Sequence, residues 1–173
     1  MPEGTVTAIT VQGIEALEKF VEEELVKEAV AGPRKFAAKR EDIVVRDLLP
    51  GTDLKGISGD WWAQTVNGGD WTTVYSGTVS EKKVIAIYGF ANKAATPRTI
   101  MVRFGTGAGP AYYKDQWQVE HAYVKQEPVI YTKKPIIYAP NESFRIEFYA
   151  VTSGMDEVIL IGKVAEPRGE LIK

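Results

Sequence analysis

The chain has 173 residues, 45% of them apolar and 25% charged, with a net charge of −2, one histidine and no cysteine. That describes one ordinary globular unit, large enough to bury roughly two-thirds of its unfolded surface. It excludes disulfide staples, thiolate metal sites and a cysteine nucleophile. A charge this small gives no field for holding nucleic acid by phosphate neutralisation, so nucleic acid is not an expected partner.

No stretch of about 18 apolar residues occurs, so no membrane span is expected. The start, MPEGTVTAITVQG, lacks both the basic end and the apolar core of a secretory signal, which points to a cytoplasmic location or to a virion. Three asparagines and five glutamines beside many lysines and glutamates lean towards a thermophilic source.

Residues 12–31, QGIEALEKFVEEELVKEAVA, read as an amphipathic helix. Ile14, Leu17, Val21, Leu25 and Ala29 recur at three- and four-residue spacing and form one apolar stripe. Glu15 with Lys19 and Glu23 with Lys27 are favourable pairs four residues apart. Gly32 and Pro33 supply a stop, the glycine being free to take a left-handed cap. A short basic arm follows (Arg34, Lys35, Lys39, Arg40, with Phe36), and then a first strand at IVVRDLL. The stretch 51–70 reads mainly as loop. Within it GDW at 59–61 returns at 69–71, and Asn67-Gly68-Gly69 between WAQTV and WTTVY predicts a hairpin.

From about residue 71 to residue 166 strand patterns dominate. Phe144, Ile146, Phe148 and Ala150 alternate with Arg145, Glu147 and Tyr149. Ile100, Val102 and Phe104 do likewise, as do Trp117, Val119, His121 and Tyr123. Two segments break the alternation. KKVIAIYGFAN and EVILIGKV are apolar on both sides, so each needs a second cover beyond the facing sheet. The expected covered outer face is Ile85, Ile87, Ile159 and Ile161, the two strands lie side by side, and the roof is the helix or a neighbouring subunit.

Eight to ten strands without alternating helices specify a mainly β fold, an antiparallel sandwich or single jelly roll with one N-terminal amphipathic helix. Residues 1–50 read as the helix and basic arm packing on or beside a sandwich at 51–173, all in one folded unit.

Little in the chain carries chemistry. GTGAGP at 105–110 is followed by strand-like AYYKDQWQV, not by the lysine and helix of a phosphate cradle. His121 shares its parity with Trp117 and Val119, which suits a core or edge histidine better than a catalytic base or metal ligand. Asp53, Asp60 and Asp70 offer oxygen ligands but lack calcium-loop spacing. No G-x-S-x-G elbow occurs. Glu120 and Glu147 read as outward residues of a solvated face. No catalytic, cofactor-binding or metal site is therefore expected, and the protein reads as non-enzymatic.

The aromatic set is more telling. Trp61, Trp62 and Trp71 surround the GDW echo, and Tyr112 and Tyr113 follow the glycine loop. They can fill a subunit interface or cap the core, or they can stack on a sugar ring with Asp60, Asn67 and Asp70 beside them. A carbohydrate-binding module is the alternative function, with a glycan as its partner.

In PIIYAPNESFRIEFYAV and TSGMDEVILIGKVAEP a proline-marked turn precedes an alternating strand and a final apolar strand. In this the C-terminal half resembles the single jelly-roll coat and decoration proteins of virus and phage particles. The resemblance spans roughly residues 71–166 and rests on pattern, not on a motif. It implies a structural, self-assembling protein that forms homo-oligomers or joins other particle subunits, with the helix and basic arm reaching a neighbour.

Overall fold

The computed structural model describes all residues except 1–4, 7–10, 55–60, 108–111, 121–128 and 170–173. Ten strands are present among the described residues: β1 (Thr5–Val6), β2 (Ile43–Asp47), β3 (Ala63–Val66), β4 (Asp70–Thr78), β5 (Val84–Asn92), β6 (Thr99–Thr106), β7 (Tyr113–Gln118), β8 (Val129–Tyr138), β9 (Ser143–Ala150) and β10 (Gly154–Pro167). Helix α1 (Val11–Ala31) precedes most of them, and a single turn of helix, α2 (Pro50–Asp53), follows β2.

One sheet runs β1-β8-β5-β10-β2, with β3 also on β10, and the other runs β4-β9-β6-β7. Adjacent strands are antiparallel throughout. From β2 to β10 the chain passes between the two sheets so that the first and last strands pair, as do β5 with β8 and β4 with β9. This is the double Greek key of a single jelly roll. The two doubly apolar segments are neighbours: β5 pairs with β10 from Val84↔Ala165 to Asn92↔Val158.

The predicted hairpin at Asn67–Gly69 does not form. β3 pairs with β10 and β4 with β9, so the turn carries the chain from one sheet to the other. The same glycines serve this crossing. Gly69 has φ +76°, and a Cβ on Gly68 would lie 2.8 Å from the backbone of Thr152 and Ser153.

β2 and β3 lie end to end along β10. Asp47 pairs with Lys163 and Ala63 with Glu157, so both continue one ladder in one direction. Residues 48–62 are thus an insert within a single interrupted strand. The six-stranded sheet accordingly takes β1 and β2 from residues 1–50, β2 being the first strand expected at IVVRDLL. PVIY and PIIY also merge: β8 is one strand whose register jumps from Gly89↔Tyr131 to Ile87↔Ile136. Lys133, Lys134 and Pro135 occupy that jump. Just past the short pairing of β1 at Tyr131 and Thr132, a lysine pair and a proline discourage further strand pairing on that side.

Tyr75, Phe90, Phe104, Phe144, Phe148, Ile85, Ile87 and Ile146 fill the space between the sheets, each less than 2% exposed. A second cluster lies outside the six-stranded sheet. There Val21, Leu25 and Ala29 of α1, all fully buried, cover Ile43, Val84, Ala86, Tyr88 and Ala165. Fully burying a leucine or valine contributes about 1.5–3 kcal/mol, so this contact holds the helix in place. Leu17 packs partly against the cluster and Ile14 is half-buried.

The expected roof is therefore α1, but parity on β5 is the reverse of the expectation. Ile85 and Ile87 point into the inter-sheet core, and Val84, Ala86 and Tyr88 lie under the helix. Ile161 packs against the helix cluster and Ile159 is half-buried. In a strand apolar on both sides, alternation cannot say which set faces which cover. Gly32 is not left-handed: it serves by lacking a side chain, since a Cβ would lie 2.5 Å from the Glu28 carbonyl oxygen. The N–H groups of Phe36 and Ala37 donate to Ala29 O and close the helix end.

Candidate functional site

The richest surface is the outer face of the four-stranded sheet. Register places Trp71, Tyr149 and Met101 in one row across β4, β9 and β6, and Thr73, Glu147, Arg103 and Gln116 in the next. Strand alternation turns all of them away from the core.

Arg103 forms a fork on Glu147, with Nε 2.9 Å from Oε2 and Nη2 3.2 Å from Oε1. Its guanidinium carbon lies 4.0 Å from the Trp71 ring centroid and 4.4 Å from that of Tyr113. Arginine stacked this way keeps its in-plane donors free for carboxylate. Arg145 reaches the same Oε2 at 3.4 Å and lies 5.3 Å from the Tyr113 ring. Gly105 makes room for it: a Cβ there would lie 2.8 Å from Arg145 Nη2. Trp71 meets Tyr149 edge-on at 5.4 Å.

Glu147 was read as an outward residue of a solvated face. It is instead 8% exposed, tucked under both arginines. Burial alone would raise its pKa, but Arg103, the Tyr113 hydroxyl and Arg145 outweigh that and hold it below the usual carboxylate range. Burial likewise works against Glu142, which Lys114 at 2.8 Å, Thr106 and the Ala139 N–H keep ionised. Neither carboxylate is a proton donor near neutral pH.

The aromatic residues named from sequence do not form one platform. Trp71 and Tyr113 come together on this face, with Arg103 between them. Trp62 turns inward against Tyr75 at 6.2 Å and packs on the core. Trp61, 55% exposed, belongs to the insert in the interrupted strand, and Tyr112, 66% exposed, leads into β7.

The three aspartates considered for calcium also part. Asp53 is fully buried in an ion cluster that sequence reading missed. Arg46 meets it with Nη1–Oδ2 and Nη2–Oδ1 both at 2.8 Å, and Lys83 Nζ lies 3.0 Å from Oδ1. Arg46 also holds Glu166, Nε to Oε1 at 2.8 Å. Burial pushes the Asp53 pKa up, but Arg46, the Leu49 N–H and Lys83 prevail and lower it. The cluster ties the start of the insert to β10. Asp70 is exposed and accepts from the Trp71 N–H. Asp60, like His121 and Tyr123, lies outside the described residues. No group of three or more metal-binding side chains occurs among the described residues.

Another buried carboxylate, Asp156, accepts from Asn92 Nδ2 and from the N–H groups of Arg98, Thr99 and Glu157, and so anchors the turn after β5. Arg98 in turn reaches Met155 O and Thr152 Oγ1, and Gly68 N–H donates to Ser153 Oγ. Three turns at this end of the sandwich are thus stitched into one rigid cap. Only the glycine pattern at 67–69 hinted at it.

On the opposite flank, the first turns of α1 and β8 enclose an apolar cleft of about 510 Å³, lined chiefly by Ala16, Leu17, Phe20, Tyr131 and Lys133. No helix of the described residues is long and apolar enough to cross a membrane. No protein-family model, curated protein or solved structure matches this chain.

Proposed function

We propose that the protein is a non-enzymatic, self-assembling jelly-roll subunit, of the kind that forms the coat or decoration of a virus or phage particle. The observation that carries this reading is the filled jelly roll itself. Fully buried large side chains occupy the space where a jelly-roll enzyme would hold its substrate, so function belongs to the surface. That surface carries large apolar side chains on several sides: Phe20 on the helix, Leu49 and Trp61 on the insert, Val151 and Met155 at the rigid cap. A subunit with several neighbours uses contacts of this distribution.

Sedimentation velocity and negative-stain electron microscopy over a concentration series test it. Defined rings, shells or chains are the expected outcome, and a monomer that persists to hundreds of micromolar overturns the reading. A glycan-binding module is the second reading, favoured by Trp71, Tyr113 and Tyr149 sharing one outer face. Titrating intrinsic tryptophan fluorescence with a panel of neutral and acidic oligosaccharides decides it, and an unchanged spectrum with every sugar removes it.

A further inference from the structure

We infer that the Asn67–Gly68 linkage is a site of spontaneous covalent modification, where the asparagine loses its amide and becomes aspartate or isoaspartate. The hydrogen bond from the Gly68 N–H to Ser153 Oγ holds that reaction back.

The chemistry uses water and the chain itself. The backbone nitrogen of Gly68 attacks Asn67 Cγ and a nitrogen–carbon bond forms. The Cγ–Nδ2 bond breaks, and Nδ2 leaves as ammonia with the proton that Gly68 N gives up. Water then opens the resulting cyclic imide. Opening at the Cγ carbonyl leaves aspartate, and opening at the main-chain carbonyl leaves isoaspartate, whose chain runs through Cγ. A side chain on the following residue hinders ring closure, so glycine there makes the linkage reactive.

The chain's asparagines are Asn67, Asn92 and Asn141, and glycine follows only the first. Asn92 precedes a lysine and is held at both ends of its amide, Nδ2 donating to Asp156 and Oδ1 accepting from the Ala94 N–H. Asn67 is exposed, and its amide has no hydrogen-bond partner among the described residues. The fold itself demands the reactive neighbour. A Cβ on residue 68 would lie against the Thr152 and Ser153 backbone, so no larger residue can shield the linkage.

Ring closure must carry Gly68 N up to Cγ and strip its proton, and the crossing is tied down at that point. The Asn67 N–H donates to Thr72 Oγ1 at 2.9 Å, that of Gly68 to Ser153 Oγ at 2.8 Å, and that of Gly69 to Ala150 O at 2.8 Å. The flanks are fixed too, Val66 opposite Gly154 and Asp70 opposite Ala150. Reaction therefore waits for this end of the sandwich to open, and its rate follows the open population. The isoaspartate product does not fit the closed form. It adds a backbone methylene between flanks held in register, so the tie to Ser153 must break and the cap that carries Val151 and Met155 loosens.

Peptide mapping by mass spectrometry tests this on protein held in warm, mildly alkaline buffer. The samples are the folded parent, the urea-unfolded parent, Ser153→Ala, which removes the Gly68 tie, and Thr72→Val, which removes the Asn67 tie. Thermal melts check that each variant folds like the parent. Amide loss is read at Asn67, with Asn92 and Asn141 as internal references. In the unfolded chain Asn67 is expected to convert ahead of the other two. The folded parent is expected to convert about tenfold or more slower than the unfolded chain, and each variant about fivefold faster than the folded parent. A folded parent that converts as fast as the unfolded chain, or variants that convert at the parent's rate, overturn the restraint. An unfolded chain in which Asn67 converts no faster than Asn92 and Asn141 overturns the site. The readout is chemical and not a particle size, so neither result bears on self-assembly.

Discussion

On the outer face of the six-stranded sheet, β5 presents Val84, Ala86 and Tyr88 and β10 presents Ala165, and none of these can face water unaided. A helix with a matching stripe seals them. On the outer face of the four-stranded sheet the same positions of the pleat carry Trp71, Arg103, Glu147, Arg145 and Tyr149, and no second layer is needed. There the side chains cover one another: rings lie over guanidinium planes, and those planes hold the carboxylate that would otherwise be buried alone. The first face is closed by hydrophobic burial and is insensitive to charge. The second is closed by pairing, so it depends on ionisation and remains available to a partner.

Substitutions probe this difference in descending order of effect. Arg46→Met removes one of the two cations from the buried cluster, leaving Lys83 alone to hold both Asp53 and Glu166. A loss of about 3–5 kcal/mol in urea denaturation is expected. Leu25→Ala opens a cavity beneath the helix and is expected to cost about 2–5 kcal/mol, with loss of helical circular dichroism before the sheet melts. Glu147→Gln on the second face is expected to cost less, about 1–2 kcal/mol, because both arginines can turn to water. Phe20→Ser, on the exposed ridge, is expected to change stability by under about 0.5 kcal/mol while altering association.

Acid sharpens the contrast. Asp53, Glu142 and Glu147 all titrate below their ordinary values in the folded protein. Their stabilisation is complete above the unfolded carboxylate range of about 4 and is lost as pH falls through the lower folded values. Stability followed by denaturant midpoint is expected to hold level from neutrality to about pH 5 and to fall below it. The Glu147→Gln variant should show a smaller fall. At the alkaline end burial raises the Tyr75 hydroxyl to about 12 and also raises Tyr88 and Tyr138. Ultraviolet titration is expected to leave these three un-ionised until the fold opens, with stability declining above about pH 10, where the unfolded tyrosines ionise first.

The strands and the helix were legible in the sequence because their signal is local: period two in 144–150, period 3.6 in 14–29. Pairing of β5 with β10 under one roof was legible too, from two runs that were apolar on both sides. The facing of β5 was not, because such a run offers no alternation to orient it. The Asn67–Gly69 crossing was misread as a hairpin because a turn motif specifies backbone angles and not which strand lies next to which. The arginine lattice and the Asp53 cluster were invisible for another reason. Each joins residues far apart in the chain, Arg46 with Glu166 and Arg103 with Glu147, and only the register of the sheets brings them together. The sequence leaves Trp62 open between core and surface, because a tryptophan beside a glycine-rich stretch looks the same whether it faces solvent or core.

The interrupted strand has a consequence for how this protein can change. Both halves are anchored independently to β10, one of them with the added grip of Arg46 on Asp53 and Glu166, so the distance between their ends is fixed by the ladder. Changes of length within this insert leave both ladders to β10 in place, and each doubling of a flexible connection costs only about 0.6 kcal/mol in closure entropy. The break in the strand is thus a natural port for foreign sequence, an epitope, a tag or a small domain, carried with the jelly roll left intact.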